Sequence, residues 1–103
     1  MKPSRPLTAG RKFDSDKPRW SLLPLNLLRP VIRVLTNGAK KYDDDNWKLV
    51  PNAQNRYYDA FMRHLDAYRD GEWLDKDDKE PHLAHAICNL FFLLWFGPLK
   101  RKR

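Results

Sequence analysis

Side chains that can bind a cation are concentrated between Arg63 and Asn89. His82, His85 and Asn89 follow one another at spacings of three and four residues, which places them on roughly one face of a helix. Oxygen and imidazole ligands gathered at a corner between two helices are what a Mg²⁺ or Mn²⁺ site needs. The segment therefore predicts a divalent-cation site. Its other candidate ligands are His64, Glu72, Asp75, Asp77, Asp78 and Glu80.

The same pattern has a simpler interpretation. A solvated acidic loop beside two histidines that are satisfied by hydrogen bonds would have this composition and spacing. Residue spacing alone does not decide between a cation site and such a loop, and both interpretations stay open at this point.

Three helices are predicted to position these side chains. Apolar residues recur at three- and four-residue spacing after Leu25, and Pro30 sets the start of the regular helix near Arg29. We expect this helix to end by Tyr42. The second helix is predicted to place Tyr57, Tyr58, Phe61, Leu65 and Tyr68 on its apolar side. The predicted bounds of the second and third helices are about Ala53 to Asp70, and Pro81 to Gly97.

The third predicted helix has almost no polar face after Asn89. A helix that is apolar on all sides has to be buried on several of them, and two partner helices from one short chain scarcely cover it. We therefore predict an all-α fold, a small bundle of about three main helices with an extended N-terminal arm, completed by oligomerisation. The predicted divisions are a flexible segment over 1–12, one helical domain over 13–99 and a basic tail over 100–103.

The composition limits the choice of partner and compartment. The chain has 103 residues and a formal net charge of +7, which favours an anionic partner such as a nucleotide. Its single cysteine, Cys88, cannot form an intramolecular disulfide, and this fits a reducing environment. The N-terminus lacks the apolar core of a secretory signal, and the longest apolar run, Leu90 to Phe96, is too short to span a bilayer. We expect a cytoplasmic protein without a membrane partner.

Several common site motifs are missing from the sequence. It contains no GxxxxGK[ST] phosphate loop, no GxGxxG and no HExxH, and it lacks the cysteines of a zinc finger. Phosphates would therefore have to be met by Lys, Arg and a metal ion. Metal-assisted chemistry or ligand binding on a helical scaffold remains.

Two further segments combine charge with an aromatic side chain. Lys17 and Arg19 stand beside Trp20, a pairing that suits a nucleotide's phosphate and base but also suits an arm pinned by its apolar residues. Trp47 directly follows an acidic run, 43–46, which has the composition of a cation-binding loop or of a solvated turn.

Three blocks of the sequence resemble a known family. The blocks are KFDSDKPRWSLLP, GAKKYDDDNW and RHLDAYRDGEWLDKDDKEPHLAHAICNLFFLL. They look like the phage-borne dATP/dGTP diphosphohydrolase N-terminal domain family, which is related in kind to the all-α MazG-like pyrophosphohydrolases. The resemblance covers nearly all of residues 12–94. It implies a dimer or tetramer that uses Mg²⁺ or Mn²⁺ to cut a nucleoside triphosphate to monophosphate and pyrophosphate.

The resemblance also implies roles for single residues. Where the helices of MazG-like enzymes carry EExxE and ExxD, this chain has Arg63 and His64 on one helix and His85 and Asn89 on the next. The implied catalytic residues are Glu72, Asp75 and His85. The implied metal ligands are Glu72, Asp75, Glu80, His85 and Asn89. For the hydrolase we further expect, from their charge and aromatic character, that Lys17, Arg19, Lys40, Lys41 and Arg63 contact the phosphates and that Trp20 or Trp47 stacks on the base.

The residues leave two other functions open. A non-catalytic phage protein that sequesters a signalling nucleotide would keep the basic and aromatic residues without complete acidic motifs. For a phage-encoded chain, as the resemblance implies, the nucleotide partner would be met in the cytoplasm of an infected bacterial host. Nucleic-acid binding through the tail and the arginine-bearing helix faces is the third interpretation, but no recognisable reading motif supports it.

Overall fold

The computed structural model of the chain describes residues 9–100, and these residues form an all-α architecture. Three short 3₁₀ turns accompany the helices, at Trp20–Leu22, Leu25–Leu28 and Asn46–Leu49. The predicted all-α class and all three predicted helices are confirmed, while the extended N-terminal arm and completion by oligomerisation stay predictions. The helices are α1 (Arg29–Tyr42), α2 (Ala53–Arg69) and α3 (His82–Phe96).

Helix α1 begins where proline allows it, and Val31 is its most buried contact with the bundle. Pro30 lies in its first turn, where a missing backbone N–H costs nothing. Val31 is 1% exposed and packs in a small core with Ala84 and Cys88 of α3. The Cys88 Sγ donates a hydrogen bond to the Val31 carbonyl oxygen at 3.6 Å. Burial raises the pKa of this thiol to about 12, so Cys88 is a structural residue.

Helix α2 packs along α3 through the side that carries Tyr57, Phe61 and Leu65. The prediction that Tyr58 belongs to this side is wrong, because its side chain is 54% exposed, whereas Tyr68 falls on the same side as Tyr57 by helical periodicity and is 39% exposed near the end of α2. Tyr58 follows Tyr57 directly and therefore points about 100° away around the helix. The half-buried His64 lies on the packed side, seven residues after Tyr57.

Helix α3 is the central element, because both other helices pack on it. Pro81 precedes its first turn, and Gly97 ends it with a φ of 82°, a conformation that glycine adopts without strain. The Gln54 side chain of α2 donates to the Gly97 carbonyl oxygen at 3.0 Å. This bond ties the start of α2 to the end of α3.

An aromatic cluster joins the loop before α2 to the C-terminal half of α3. The Trp47 ring stacks on Phe92, with ring centroids 4.5 Å apart and an interplanar angle of 21°. It also meets Trp95 and Phe96 edge-on. The Tyr57 hydroxyl donates to the Trp47 carbonyl oxygen at 2.9 Å, which fixes the loop on α2.

One side of α3 remains without a partner in the described part of the chain. Ile87, Leu90, Phe91 and Leu94 recur at helical spacing, and all four are exposed, Leu94 to 79%. No helix in residues 9–100 has the length and apolar character needed to cross a membrane.

The proposed divisions at the two ends of the chain stay predictions. Residues 9–19 are exposed and form no helix, with one turn in which the Lys17 N–H donates to the Asp14 carbonyl oxygen. The rest of the predicted flexible segment, and the tail beyond Lys100, lie outside the described residues.

Candidate functional site

The acidic segment between α2 and α3 folds into an ordered turn around Asp75. Its Oδ1 atom accepts hydrogen bonds from the backbone N–H groups of Asp77 and Asp78, at 2.8 and 3.4 Å. The Asp75 N–H donates to the Glu80 carbonyl oxygen at 2.8 Å, and the Lys79 N–H donates back to the Asp75 carbonyl oxygen at 2.9 Å. The turn therefore occupies one carboxylate oxygen of Asp75 and leaves Oδ2 to face the helices.

Two histidines from different helices meet beside this turn. The Nδ1 atoms of His64 on α2 and His82 on α3 lie 2.8 Å apart. On its other edge, the Nε2 of His82 lies 2.6 Å from Glu72 Oε1. A neutral His82 that donates its Nε2–H to this carboxylate keeps a lone pair on Nδ1. Glu72 therefore directs the electron pair of His82 toward His64 and Asp75.

The third histidine completes the group from the neighbouring turn of α3. His85 Nε2 lies 2.7 Å from Asp78 Oδ2. Its ring stacks on the His64 ring, with centroids 4.4 Å apart and an interplanar angle of 6°. The three imidazoles thus form one connected group, which we call the histidine–acid cluster. Its members are His64, Glu72, Asp75, Asp78, His82 and His85.

Burial and neighbouring charge set the protonation of the cluster. Burial, together with the adjacent His85 and His82, lowers the pKa of His64 to about 4, so this ring is neutral at pH 7. Burial by itself would raise the pKa of Asp75, but the N–H groups of Asp77 and Asp78 and the nearby imidazoles lower it overall. At pH 7 His64 is therefore a neutral base that lies beside the Asp75 carboxylate. The His64 Nδ1 and Asp75 Oδ2 atoms are 3.9 Å apart.

The cluster contains two overlapping groups of possible metal ligands, in each of which the ligand atoms lie within 4.8 Å of one another. One group is His64, Asp75 and His82, and the other is Asp75, Asp78 and His85. Neutral imidazole and ionised carboxylate are both ligands for divalent cations. The Glu72–His82 bond matches the carboxylate contact that commonly orients a metal-bound histidine. The residues present fit a divalent metal ion.

A large cleft of about 1240 Å³ opens over the cluster. The C-terminal half of α1, the loop to α2, α2 itself and the acidic turn form its walls, and α3 also contributes residues. Lys41, Arg56 and Arg63 supply positive charge to the lining, and Trp47 supplies an aromatic ring. The cleft therefore brings cations, an aromatic side chain and possible metal ligands into one space.

The structure brings some of the predicted site residues together and leaves others elsewhere. Those that line the cleft are Lys41, Trp47, Arg63, Asp75, His85 and Asn89. Those that do not are Lys17, Arg19, Trp20, Lys40, Glu72 and Glu80. Trp20 is 82% exposed on the segment before α1. The phosphate contacts proposed for the lysines and arginines in these two lists, and the base contacts proposed for the two tryptophans, remain predictions.

Glu80 and Asn89 have structural partners in this arrangement. Both carboxylate oxygens of Glu80 accept from the Arg33 Nε, at 3.1 and 2.9 Å, which ties the start of α3 to α1. The Asn89 side-chain nitrogen donates to the His85 carbonyl oxygen at 3.0 Å within α3. Neither residue belongs to the two ligand groups of the cluster. Glu72 is in neither group either, so the ligand set implied by the resemblance shares only Asp75 and His85 with the geometric one.

Sequence reasoning placed His64 and His82 near the site, but the metal ligands implied by the resemblance did not include them. The available signal was their position on the inner faces of α2 and α3, next to the same acidic turn. Arg56 was also missed, because a lone arginine on a helix carries no spacing signal of its own. Arg56 reaches the cleft only because α1 and α2 pack on α3 with the cleft between them.

The fold and the site define a class of protein: an all-α chain with a histidine–acid cluster in a cleft that also carries basic side chains. The family described as dATP/dGTP diphosphohydrolase, N-terminal, matches residues 8–102. The chain belongs to this family, and the resemblance seen in the sequence is confirmed.

A curated relative and the known structures complete the comparison. A dATP/dGTP diphosphohydrolase of Salmonella phage PMBT28 is 34% identical over 86 residues. The matched region is 84% of this chain but only 29% of the length of that relative. No solved structure matches the chain significantly.

Proposed function

We propose that this chain is a divalent-metal-dependent nucleotide diphosphohydrolase that cleaves a purine nucleoside or deoxynucleoside triphosphate to monophosphate and pyrophosphate. One observation carries the proposal: four members of the histidine–acid cluster, His64, Asp75, Asp78 and His85, line a cleft together with Lys41, Arg56 and Arg63. A triphosphate needs both positive side chains and a metal-ligand group within reach of its phosphates. The name of the phage relative supports a purine nucleotide as the substrate class.

The metal ion, for which the resemblance implies Mg²⁺ or Mn²⁺, is part of the proposal. Asp75, His64 and His82 would hold it, and Glu72 would orient His82 through its Nε2. When bound, such an ion polarises phosphate oxygens and makes a water molecule more acidic. This assignment keeps Glu72 and Asp75 in the site and gives Glu72 a positioning role.

The other cleft residues have separate roles in the proposed reaction. Arg63 and Lys41 neutralise phosphate charge by charge-assisted hydrogen bonds. His85 accepts a proton from the attacking water, while its Nε2 bond to Asp78 holds the ring in place. Trp47 offers the part of its ring that lines the cleft to the base, since Phe92 covers one face.

Assembly into a homo-oligomer belongs to the same proposal. The exposed apolar stripe on α3, formed by Ile87, Leu90, Phe91 and Leu94, is suited to a second copy of the chain. Burying these side chains would complete the bundle that two helices leave open. Lys17, Arg19 and Trp20 lie on the segment before α1, and in an oligomer they could reach a neighbouring cleft.

A second function is favoured by one observation. Each histidine of the cluster already has a hydrogen-bonding partner within it, so the site is internally satisfied without catalysis. The chain would then sequester a signalling nucleotide in the same cleft, beside Lys41, Arg56 and Arg63. Such a protein would bind a nucleotide and leave it intact.

A product assay separates these functions. Purified protein with Mg²⁺ or Mn²⁺ is offered a panel of dNTPs and NTPs, and the products are resolved by chromatography. Monophosphate and pyrophosphate in equal amounts from dATP or dGTP support the hydrolase. No turnover across the panel, with intact nucleotide retained through purification, overturns it in favour of sequestration.

A further inference from the structure

The inner ligand group of the cluster is rich in nitrogen. It combines two imidazole nitrogens, the Nδ1 atoms of His64 and His82, with a single carboxylate oxygen of Asp75. His82 is 5% exposed, so its ring is removed from bulk solvent. Glu72 holds the opposite edge of that ring at 2.6 Å. These contacts give the site a defined chemical preference.

We propose that the group formed by His64, Asp75 and His82 selects a transition-metal ion that favours imidazole, such as Zn²⁺, Fe²⁺ or Co²⁺, over Mg²⁺. The proposal specifies the metal of the proposed function and rests on it for the role of that metal in hydrolysis. Binding of the ion, by contrast, is a separate property that can be measured without a nucleotide.

The preference follows from the donor atoms. Mg²⁺ binds oxygen ligands, keeps several waters and dehydrates reluctantly, so it gains little from two imidazoles. Zn²⁺, Fe²⁺ and Co²⁺ bind imidazole nitrogen well, and affinity for such sites rises from Mn²⁺ through Fe²⁺ to Co²⁺. Without a metal ion, one of the two facing Nδ1 atoms donates a hydrogen bond to the other at 2.8 Å. A bound ion would take the place of that proton and accept the lone pairs of both nitrogens.

Glu72 is the positioning residue of this site. Its carboxylate accepts from His82 Nε2 and so keeps the Nδ1 lone pair on the side of His64 and Asp75. Loss of such an outer contact typically weakens metal binding by about 10- to 100-fold. Glu72→Ala should therefore reduce affinity while leaving the number of bound ions at saturation unchanged.

The test is a Co²⁺ titration of metal-free protein, followed by its visible absorption, which reports the coordination geometry and ligand field of the bound ion. We expect one tight ion per chain, bound at least about tenfold more strongly than Mg²⁺ in competition. His64→Gln and His82→Asn should each abolish the absorption bands of the tight ion. Circular dichroism establishes that each variant is folded. If His82→Asn does not fold, the outcome is decided by His64→Gln and by the competition between Mg²⁺ and Co²⁺ in the unmodified chain.

Glu80→Gln discriminates between the two ligand sets. Because Glu80 is held by Arg33, this variant should keep the Co²⁺ spectrum, whereas a site built on Glu80 would lose it. Equal affinity for Mg²⁺ and Co²⁺, or a spectrum unaffected by His64→Gln, would overturn the inference. Metal binding without any nucleotide turnover would defeat the proposed function alone, and turnover with Mg²⁺ but no histidine-dependent Co²⁺ site would defeat this inference alone.

Discussion

His64 and His82 face each other through their Nδ1 atoms at 2.8 Å, across the interface between α2 and α3. Eighteen positions separate them in the chain, and the acidic turn lies between. Since His82 is also held by Glu72, the contact joins both helices to the turn. The histidine–acid cluster is thus part of the packing of the bundle as well as a candidate metal centre.

The depressed pKa of His64 predicts a stability that falls in mild acid. The folded chain keeps this ring neutral down to pH about 4, whereas the unfolded chain protonates it near 6.5. Between these values the unfolded state binds more protons, so stability is complete above 6.5 and is lost progressively as the pH falls toward 4. The loss attributable to His64 is at most about 3 kcal/mol.

Denaturant unfolding of metal-free protein at a series of pH values measures this effect. His64→Gln removes the titrating ring and should flatten the dependence of the unfolding free energy on pH between 4 and 6.5. An unchanged slope in the variant would show that another group is responsible.

The core predicts a contrast between two adjacent positions of α1. Val31 is 1% exposed and packs against Ala84 and Cys88, while Ile32 is 56% exposed. Val31→Ala should lower the free energy of unfolding by about 2 kcal/mol, because the lost methyl groups no longer contribute their burial and a cavity remains in their place. Ile32→Ala, the matched control, should cost much less. Equal losses in urea unfolding would contradict the assigned orientation of α1.

The exposed stripe on α3 predicts self-association. Leu94 is 79% exposed and Leu90 is exposed on the same side. Replacing Leu94 with Glu places a charge where a second copy would pack, so the variant should be monomeric. Light scattering after size-exclusion chromatography measures the mass directly. Leu49→Glu is the control, because Leu49 is 80% exposed but lies in the loop before α2. A monomeric unmodified chain would refute the proposed interface.

The sequence predicts the local parts of this fold well. Pro30 and Gly97 mark helix ends through their own backbone preferences, and the three helices accordingly lie where they are expected. Tyr58 was misplaced because an aromatic residue next to another aromatic residue gives no sign of which one faces inward. That choice is made by the contact with α3.

The site is less accessible to sequence reasoning because its contacts are long-range. Glu80 belongs to a dense acidic segment, yet it pairs with Arg33, which lies 47 positions earlier. His64 and His82 acquire their shared role only when α2 packs along α3. Composition identifies the segment that carries the chemistry, while helix packing determines which of its side chains converge.

The most direct test of the central claim compares two variants with the same change of charge. Asp75 belongs to both ligand groups of the cluster, whereas Asp44 lines the same cleft outside it. With dATP or dGTP and a divalent metal, Asp75→Asn should lose at least about 100-fold in release of monophosphate and pyrophosphate, since it removes a metal ligand. Asp44→Asn should retain most of the activity. Equal activity of Asp75→Asn and the unmodified chain would contradict a metal-dependent hydrolase centred on this cluster.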